Sequence, residues 1–247
     1  MPVPAWPFPT ALAHRGGGAL APENTLAAFD RGWQHGYRAA ETDAVLSADD
    51  VPVLLHDETL ERTTNGHGSV AAHTAAELEQ LDAGSWFGSA FAGAPVPRLA
   101  QALQHCRVRG IWLNVEIKPV SGYEQRTGMR VAQVVAQLYP VGAAAPLPLL
   151  SSFSRQALQA ARTAAAHLPR ALLVEAIPGD WQRALQALDC VALHCDHRTL
   201  TQEQVLQVKS AGYGVLCYTV NDPERARVLR AWGVDAICTD RIDLIAP

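Results

Sequence analysis

Short apolar runs alternate with longer amphipathic ones along most of this chain. Residues 11–15, Ala-Leu-Ala-His-Arg, read as a buried strand that stops at Gly16-Gly17-Gly18. Leu26 to Phe29, with Trp33 beyond, has helical periodicity; Asn24 or Thr25 is the candidate N-cap, and Gly36 marks the end. A strand is expected over 39–45, a turn at Ala48-Asp49-Asp50, and a hairpin return over 51–55. The rhythm breaks over 60–96, where Arg62 to Gly68 is loop-like, 75–81 suits a short helix, and Trp86, Phe87 and Phe91 fall in an irregular stretch. From Pro97 it resumes. Helices are expected over 98–106, 128–138, 155–167, 181–188, 202–211 and 223–232. Strands are expected over 111–118, 147–153, 170–175, 190–195, 214–220 and 235–238.

Leaving the hairpin return aside, eight strands alternate with helices, which calls for parallel strands. Eight such units in about 250 residues have the size of an α/β fold of the (β/α)₈ TIM-barrel class. A doubly wound open sheet is the alternative, but HRGGG lacks the spacing of a dinucleotide fingerprint and no helix opens directly after it. The expectation is a single barrel domain over 1–247. Residues 60–96 would form a small insertion after the second strand, a cap over one rim or a loop docked by its aromatics.

The composition, 49% hydrophobic and 18% charged, suits a globular domain with a sizeable core. A net charge of -4 without any Lys/Arg-rich run gives no reason to expect a nucleic acid or an acidic membrane as partner. The five cysteines are odd in number and contain no C-x-x-C, so neither a disulfide framework nor a structural zinc site is suggested. Buried thiols in a reducing cytoplasm fit better. The start, MPVPAWPFPT, lacks the basic and apolar regions of a signal peptide, and no apolar run is long enough to span a bilayer.

Candidate chemistry begins at Glu41 and Asp43. Residues i and i+2 of a strand share a face, so both carboxylates aim at one spot in an apolar run. Such a pair repels and loses hydration unless a cation joins it; the plainer reading is a solvated pair on an exposed strand. The hairpin would bring His56 back over the same strand end, as a candidate proton carrier. On the strand over 111–118, alternation puts Asn114, Glu116 and Lys118 on one face. Polar residues gather at the C-terminal ends of the expected strands, where barrel chemistry sits. They include His14-Arg15, Glu41 and Asp43, Glu116 and Lys118, Ser151-Ser152-Phe153, and Thr219-Asn221. His35, His73, His105 and His167 fit surfaces, and His67 and His194 are read as structural.

These motifs resemble, in order, those of the glycerophosphodiester phosphodiesterase family. They are HRG at 14–16, PENT at 22–25, ETD at 41–43, PVLLHD at 52–57, L-x-R-T-T-x-G at 60–66, VEIKP at 115–119, SSF at 151–153, YTVN at 218–221 and GVDAICTD at 233–240. The resemblance implies a (β/α)₈ barrel that hydrolyses glycerophosphodiesters to sn-glycerol 3-phosphate and an alcohol. It implies His14 and His56 as the catalytic histidines. Glu41, Asp43 and Glu116 would hold one divalent cation, and Arg15 and Lys118 would hold the phosphate. All-oxygen ligands suit Mg²⁺, Ca²⁺ or Mn²⁺ better than Zn²⁺. Phe153 and Tyr218 are candidates to line the substrate site, Tyr218 standing where the family pattern has Trp. A lysophospholipase D on the same scaffold would need an apolar groove for an acyl chain. A catalytically silent barrel binding glycerol phosphate would have no need of both histidines.

Overall fold

Eight parallel strands close into a ring in the computed structural model, which describes residues 6–247. Residues 1–5, the head of the segment read as lacking a signal peptide, lie outside the described residues. In chain order the strands are β1 (Ala11–Ala13), β2 (Ala39–Leu46), β3 (Pro52–Leu54), β4 (Trp112–Ile117), β5 (Leu149–Ser152), β6 (Arg170–Val174), β7 (Ala192–Asp196), β8 (Gly214–Tyr218) and β9 (Ala236–Thr239). The helices are α1 (Leu26–Gln34), α2 (Ala75–Leu78), α3 (Leu99–Arg109), α4 (Glu124–Leu138), α5 (Arg155–Ala164), α6 (Trp181–Leu188), α7 (Gln202–Ser210) and α8 (Pro223–Ala231). Each barrel strand pairs with the next, and β1 pairs with both β9 and β2, which closes the ring. β3 is the hairpin return, antiparallel to β2 with Ala44 opposite Leu54.

Local chemistry sets the element ends. Thr25, in extended backbone, caps α1 by accepting from the Ala28 amide, while Asn24 sits at φ 60 and is free for another task. Thr74 with Glu77 and Thr201 with Gln204 form capping boxes on α2 and α7. β1 ends at Ala13, two residues short of expectation, because Arg15 (φ 50) and Gly16 (φ 91) turn the chain. α2 ends at Leu78 and α5 at Ala164, each three residues short of expectation.

Inward-facing residues of the strands stack as an apolar plug that includes Leu12, Trp112, Leu149 and Leu216. Phe8 stacks on Trp112 at 4.7 Å, with Trp6 edge-on to it at 5.0 Å, and together they seal the end where the strands begin. The opposite end is polar. Residues 60–96 pack on the β2–β3 hairpin around a small apolar cluster of their own, built from Leu60, Val70, Leu78 and Val96 against Val45 and Val53.

One glycine ties this framework to the polar end. Gly18 has φ +53, and a Cβ there would lie 2.2 Å from the Asp240 carbonyl oxygen. Gly18→Ala is expected to cost about 1–3 kcal/mol by overpacking and to lower turnover because Asp240 must move. Denaturant unfolding and initial rates check this; an unchanged unfolding midpoint would contradict the close approach.

Candidate active site

Three carboxylates meet where β2 and β4 run side by side. Asp43 and Glu116 are in register, Glu41 stands two residues before Asp43, and an oxygen of each lies within 4.8 Å of the others. Burial pushes the Glu116 carboxyl up to about 7, and Asp43 adds to the shift against the pull of Lys118. Burial, then Asp43 and Glu116, holds Glu41 well above the carboxylate range. Its Oε1 is buried without a hydrogen-bond partner, while Oε2 accepts from the Arg15 amide at 3.1 Å. Three crowded oxygen donors, one of them orphaned, fit a hard divalent cation.

Asn24 fixes Asp43. Its Nδ2 donates to Asp43 Oδ2 at 2.9 Å, and its Oδ1 accepts from Thr42 Oγ1 at 2.7 Å and the Asp43 amide at 3.1 Å. The left-handed turn that disqualifies Asn24 as a cap aims its amide at β2.

Two basic groups face the carboxylates. The Arg15 guanidinium donates from Nη1 to Glu23 at 2.8 Å, and its Nε lies 3.3 Å from Asp43 Oδ2. Burial works against its charge, but Asp43, Glu23 and Glu41 outweigh it and raise its pKa. Lys118 Nζ lies 3.6 Å from Glu116 and 3.9 Å from Asp43, and 3.1 Å from His56 Nε2.

Each histidine is oriented through Nδ1 by an aspartate. His14 Nδ1 lies 2.6 Å from Asp240 Oδ1, with Nε2 toward Glu41 Oε2 at 3.8 Å. Asn221 braces Asp240, donating from Nδ2 at 2.8 Å and accepting the Asp240 amide at 2.8 Å. His56 Nδ1 lies 2.7 Å from Asp57 Oδ1, so Nε2 is left to accept from Lys118. Burial, then the charges of Arg15 and Lys118 against that of Asp43, leaves His56 below the usual histidine value.

His14, Arg15, Glu41, Asp43, His56, Glu116 and Lys118 line one cavity of about 260 Å³, together with Phe153 and Tyr218. The two rings meet edge to face at 6.0 Å. The Tyr218 hydroxyl donates to the Val174 carbonyl at 2.7 Å, so it is spent on the barrel wall. No lining residue of this cavity comes from 60–96 among the described residues. A larger groove of about 1000 Å³ runs along α4 and α5 and holds none of these side chains.

Residues 14–244 match the family model described as the Glycerophosphoryl diester phosphodiesterase family. The chain belongs to that family. A glycerophosphodiester phosphodiesterase of Caldanaerobacter subterraneus subsp. tengcongensis is 34% identical over 231 residues, covering 93% of each chain. The solved structure of an Oleispira antarctica phosphodiesterase in complex with the product sn-glycerol-3-phosphate superposes with a TM-score of 0.88 at 40% identity, covering 94% of this chain and 93% of that one. A glycerophosphodiester phosphodiesterase from Agrobacterium tumefaciens superposes with a TM-score of 0.82 at 32% identity, covering 97% and 99%. Membership makes this chain a phosphoric diester hydrolase of small-molecule substrates with a (β/α)₈ barrel.

Several groups that shape this phosphodiesterase cavity carry no signal in the strand pattern. Asp57 and Asp240 end the motifs PVLLHD and GVDAICTD, and an acid abutting a candidate histidine or closing a barrel strand is the hint that marks them. Glu23 and Arg62 lie inside the PENT and L-x-R-T-T-x-G motifs, but neither the spacing nor the resemblance gives them a role. Arg62, from the 60–96 segment, donates to both oxygens of Asp57 at 2.5 and 3.0 Å and to both oxygens of Glu23 at 2.8 Å. It thereby links the partner of His56 to the partner of Arg15. His194, read as structural, is wholly buried with neither ring nitrogen hydrogen-bonded, and it lines the cavity floor. Burial alone pushes it down to about 3, so it is neutral.

The Arg62 bridge gives a prediction. Arg62→Ala is expected to lower kcat/KM between about tenfold and a hundredfold, because small misplacements of catalytic groups cost that much. The Arg62 side chain is 45% exposed, so the unfolding midpoint should barely move. Arg62→Lys should recover only part of the rate, since an ammonium cannot fork onto two carboxylates. A fully active Arg62→Ala enzyme would show that the bridge is decorative.

Proposed function

We propose that the chain is a divalent-cation-dependent glycerophosphodiester phosphodiesterase that releases sn-glycerol 3-phosphate and a small alcohol by two-histidine acid–base catalysis. The observation that carries this reading is one cavity holding Glu41, Asp43 and Glu116 beside two basic side chains and two aspartate-anchored histidines. Glu41, Asp43 and Glu116 are the ligands, and Mg²⁺, Ca²⁺ or Mn²⁺ suits their oxygens. The ion, when bound, offsets negative charge on the phosphate oxygens. Arg15 grips phosphate through planar N–H groups and Lys118 as a point charge, leaving His56 Nε2 as the phosphate draws it over. One histidine takes the proton of the attacking hydroxyl and the other returns one to the departing alkoxide. Asp240 and Asp57 keep the Nδ1 proton of His14 and His56 in place, so that Nε2 is the nitrogen that gains or gives the proton.

A neighbouring cavity of about 650 Å³ shares His56, Glu116, Lys118 and Phe153 and is also lined by Asp57, Glu58 and Glu124. Its acids and open aromatic face suit a small polar or cationic alcohol. An acyl chain would lie against those charges, which speaks against lysophospholipase D. Five buried free cysteines support a reducing cytoplasm as its place of work. We read residues 60–96 as an insertion of the single barrel domain, which reaches the site through Arg62.

Turnover of glycerophosphocholine, glycerophosphoethanolamine and lysophosphatidylcholine, with and without chelator, tests the proposal. The first two should be hydrolysed and the third should not, and chelation should stop all turnover until a divalent cation is restored. The same cation at about 100 times its Kd should add about 2.7 kcal/mol of stability, or about 5–10 °C in Tm for a chain of this size. Full activity of the chelated enzyme would overturn the reading.

A further inference from the structure

We propose that His14, Glu41 and Cys238 form a second metal site, for a thiophilic divalent ion such as Zn²⁺ or Cd²⁺, whose occupation inhibits the enzyme. The three residues come from β9, β2 and the end of β1, which are consecutive around the ring. One donor atom of each lies within 4.8 Å of the others, and all three residues line the catalytic cavity. The other four cysteines belong to the core outside the ring of strands, whereas Cys238 is part of the inward-facing plug.

Two further observations point to a ligand. Glu41 Oε1 is buried and has no hydrogen-bond partner. His14 is already arranged as a metal ligand: Asp240 holds Nδ1 at 2.6 Å and turns Nε2 toward Glu41. A carboxylate on the far ring nitrogen is how metal-binding histidines are commonly fixed. Imidazole, thiolate and carboxylate donors with a fourth position open match Zn²⁺, while the neighbouring all-oxygen cluster matches harder ions. On binding, the ion replaces the thiol proton of Cys238, which passes to solvent, and no electron is transferred.

Glu41 belongs to both clusters. A soft ion at His14–Glu41–Cys238 therefore draws Glu41 from the hard-ion cluster and occupies the nitrogen through which His14 would move a proton. The inhibitory half of this proposal rests on the roles given above to His14 and Glu41; the binding half does not.

The test reads binding and turnover separately. Cd²⁺ titrated into chelator-treated enzyme should produce an ultraviolet thiolate charge-transfer band for a single cysteine, and Cys238→Ser should abolish it. In Mg²⁺-supported turnover, Cys238→Ser should keep its rate within about twofold but need at least about tenfold more Zn²⁺ for half-inhibition, as loss of a ligand requires. Cys238→Ala should behave alike, which guards against a folding defect peculiar to serine. No band in the wild-type protein, or a band that survives in Cys238→Ser, overturns the site. Equal Zn²⁺ sensitivity of wild type and both variants overturns it too, placing inhibition at the carboxylates. A normal band in an enzyme that needs no Mg²⁺ supports the site and refutes the reading of the carboxylates.

Discussion

His14→Ala and His56→Ala are each expected to lower kcat/KM by on the order of 10²–10⁴. Both side chains are partly exposed and bonded mainly to an aspartate at the rim, so removing either ring should leave the barrel folded. On the proposed mechanism the two rings would divide one proton traffic, and the double variant should be little worse than the poorer single one. Wild-type kcat/KM against pH should be bell-shaped, since it reports an acid and a base of the free enzyme. The limb lost in His56→Ala should have its midpoint below the ordinary histidine value, because burial and the charges of Arg15 and Lys118 favour the neutral ring. A bound cation would push in the same direction. A flat profile through neutral pH, or a mild effect of His56→Ala, would remove the acid–base assignment.

The second large effect pairs a gain with a loss. Glu41→Gln should abolish cation-dependent turnover and the rise in Tm on adding Mg²⁺, yet it should stabilise the chelated protein. Burial, Asp43 and Glu116 raise the Glu41 pKa above its unfolded value. A carboxyl raised in this way holds more protons folded than unfolded, so it weakens stability as pH climbs past the unfolded pKa. Below that value the handicap disappears. The chelated variant should therefore outlast chelated wild type at pH 8 and match it near pH 4. Gln can still accept from the Arg15 amide and can donate to the neighbouring carboxylates. Equal Tm values for the two chelated proteins at pH 8 would show that the acids do not strain one another.

Much of the fold was legible because its signals are local. Apolar runs bounded by Gly, Pro and capping residues located all eight barrel strands and the hairpin, and strict alternation with helices selected a parallel ring. The boundaries that moved did so for reasons periodicity does not carry, such as the left-handed turn at Arg15 and Gly16. In the site, Glu41 and Asp43 could be paired by their spacing of two, and Asn114, Glu116 and Lys118 by alternation. Bringing the two sets together depends on register, which the family resemblance supplied. Asp240 is the clearest limit: it meets His14 across 226 positions of sequence, and only ring closure brings them together. Asn24 and Thr25 are equal cap candidates by residue type, but the positive φ of Asn24 sends its side chain to β2 and leaves the cap to Thr25.

That closure has a consequence for the order in which activity arises. As the chain leaves the ribosome, Glu41, Asp43, Glu116 and the whole His56–Asp57–Arg62–Glu23 linkage are present once β4 has emerged. His14 is synthesised before all of these, yet the group that orients it arrives with β9 and the turn after it. A nascent barrel lacking that strand carries one histidine held and one unheld. On the proposed mechanism hydrolysis would report ring closure rather than collapse, and a fragment ending before β9 should regain turnover only when the missing strand is supplied in trans.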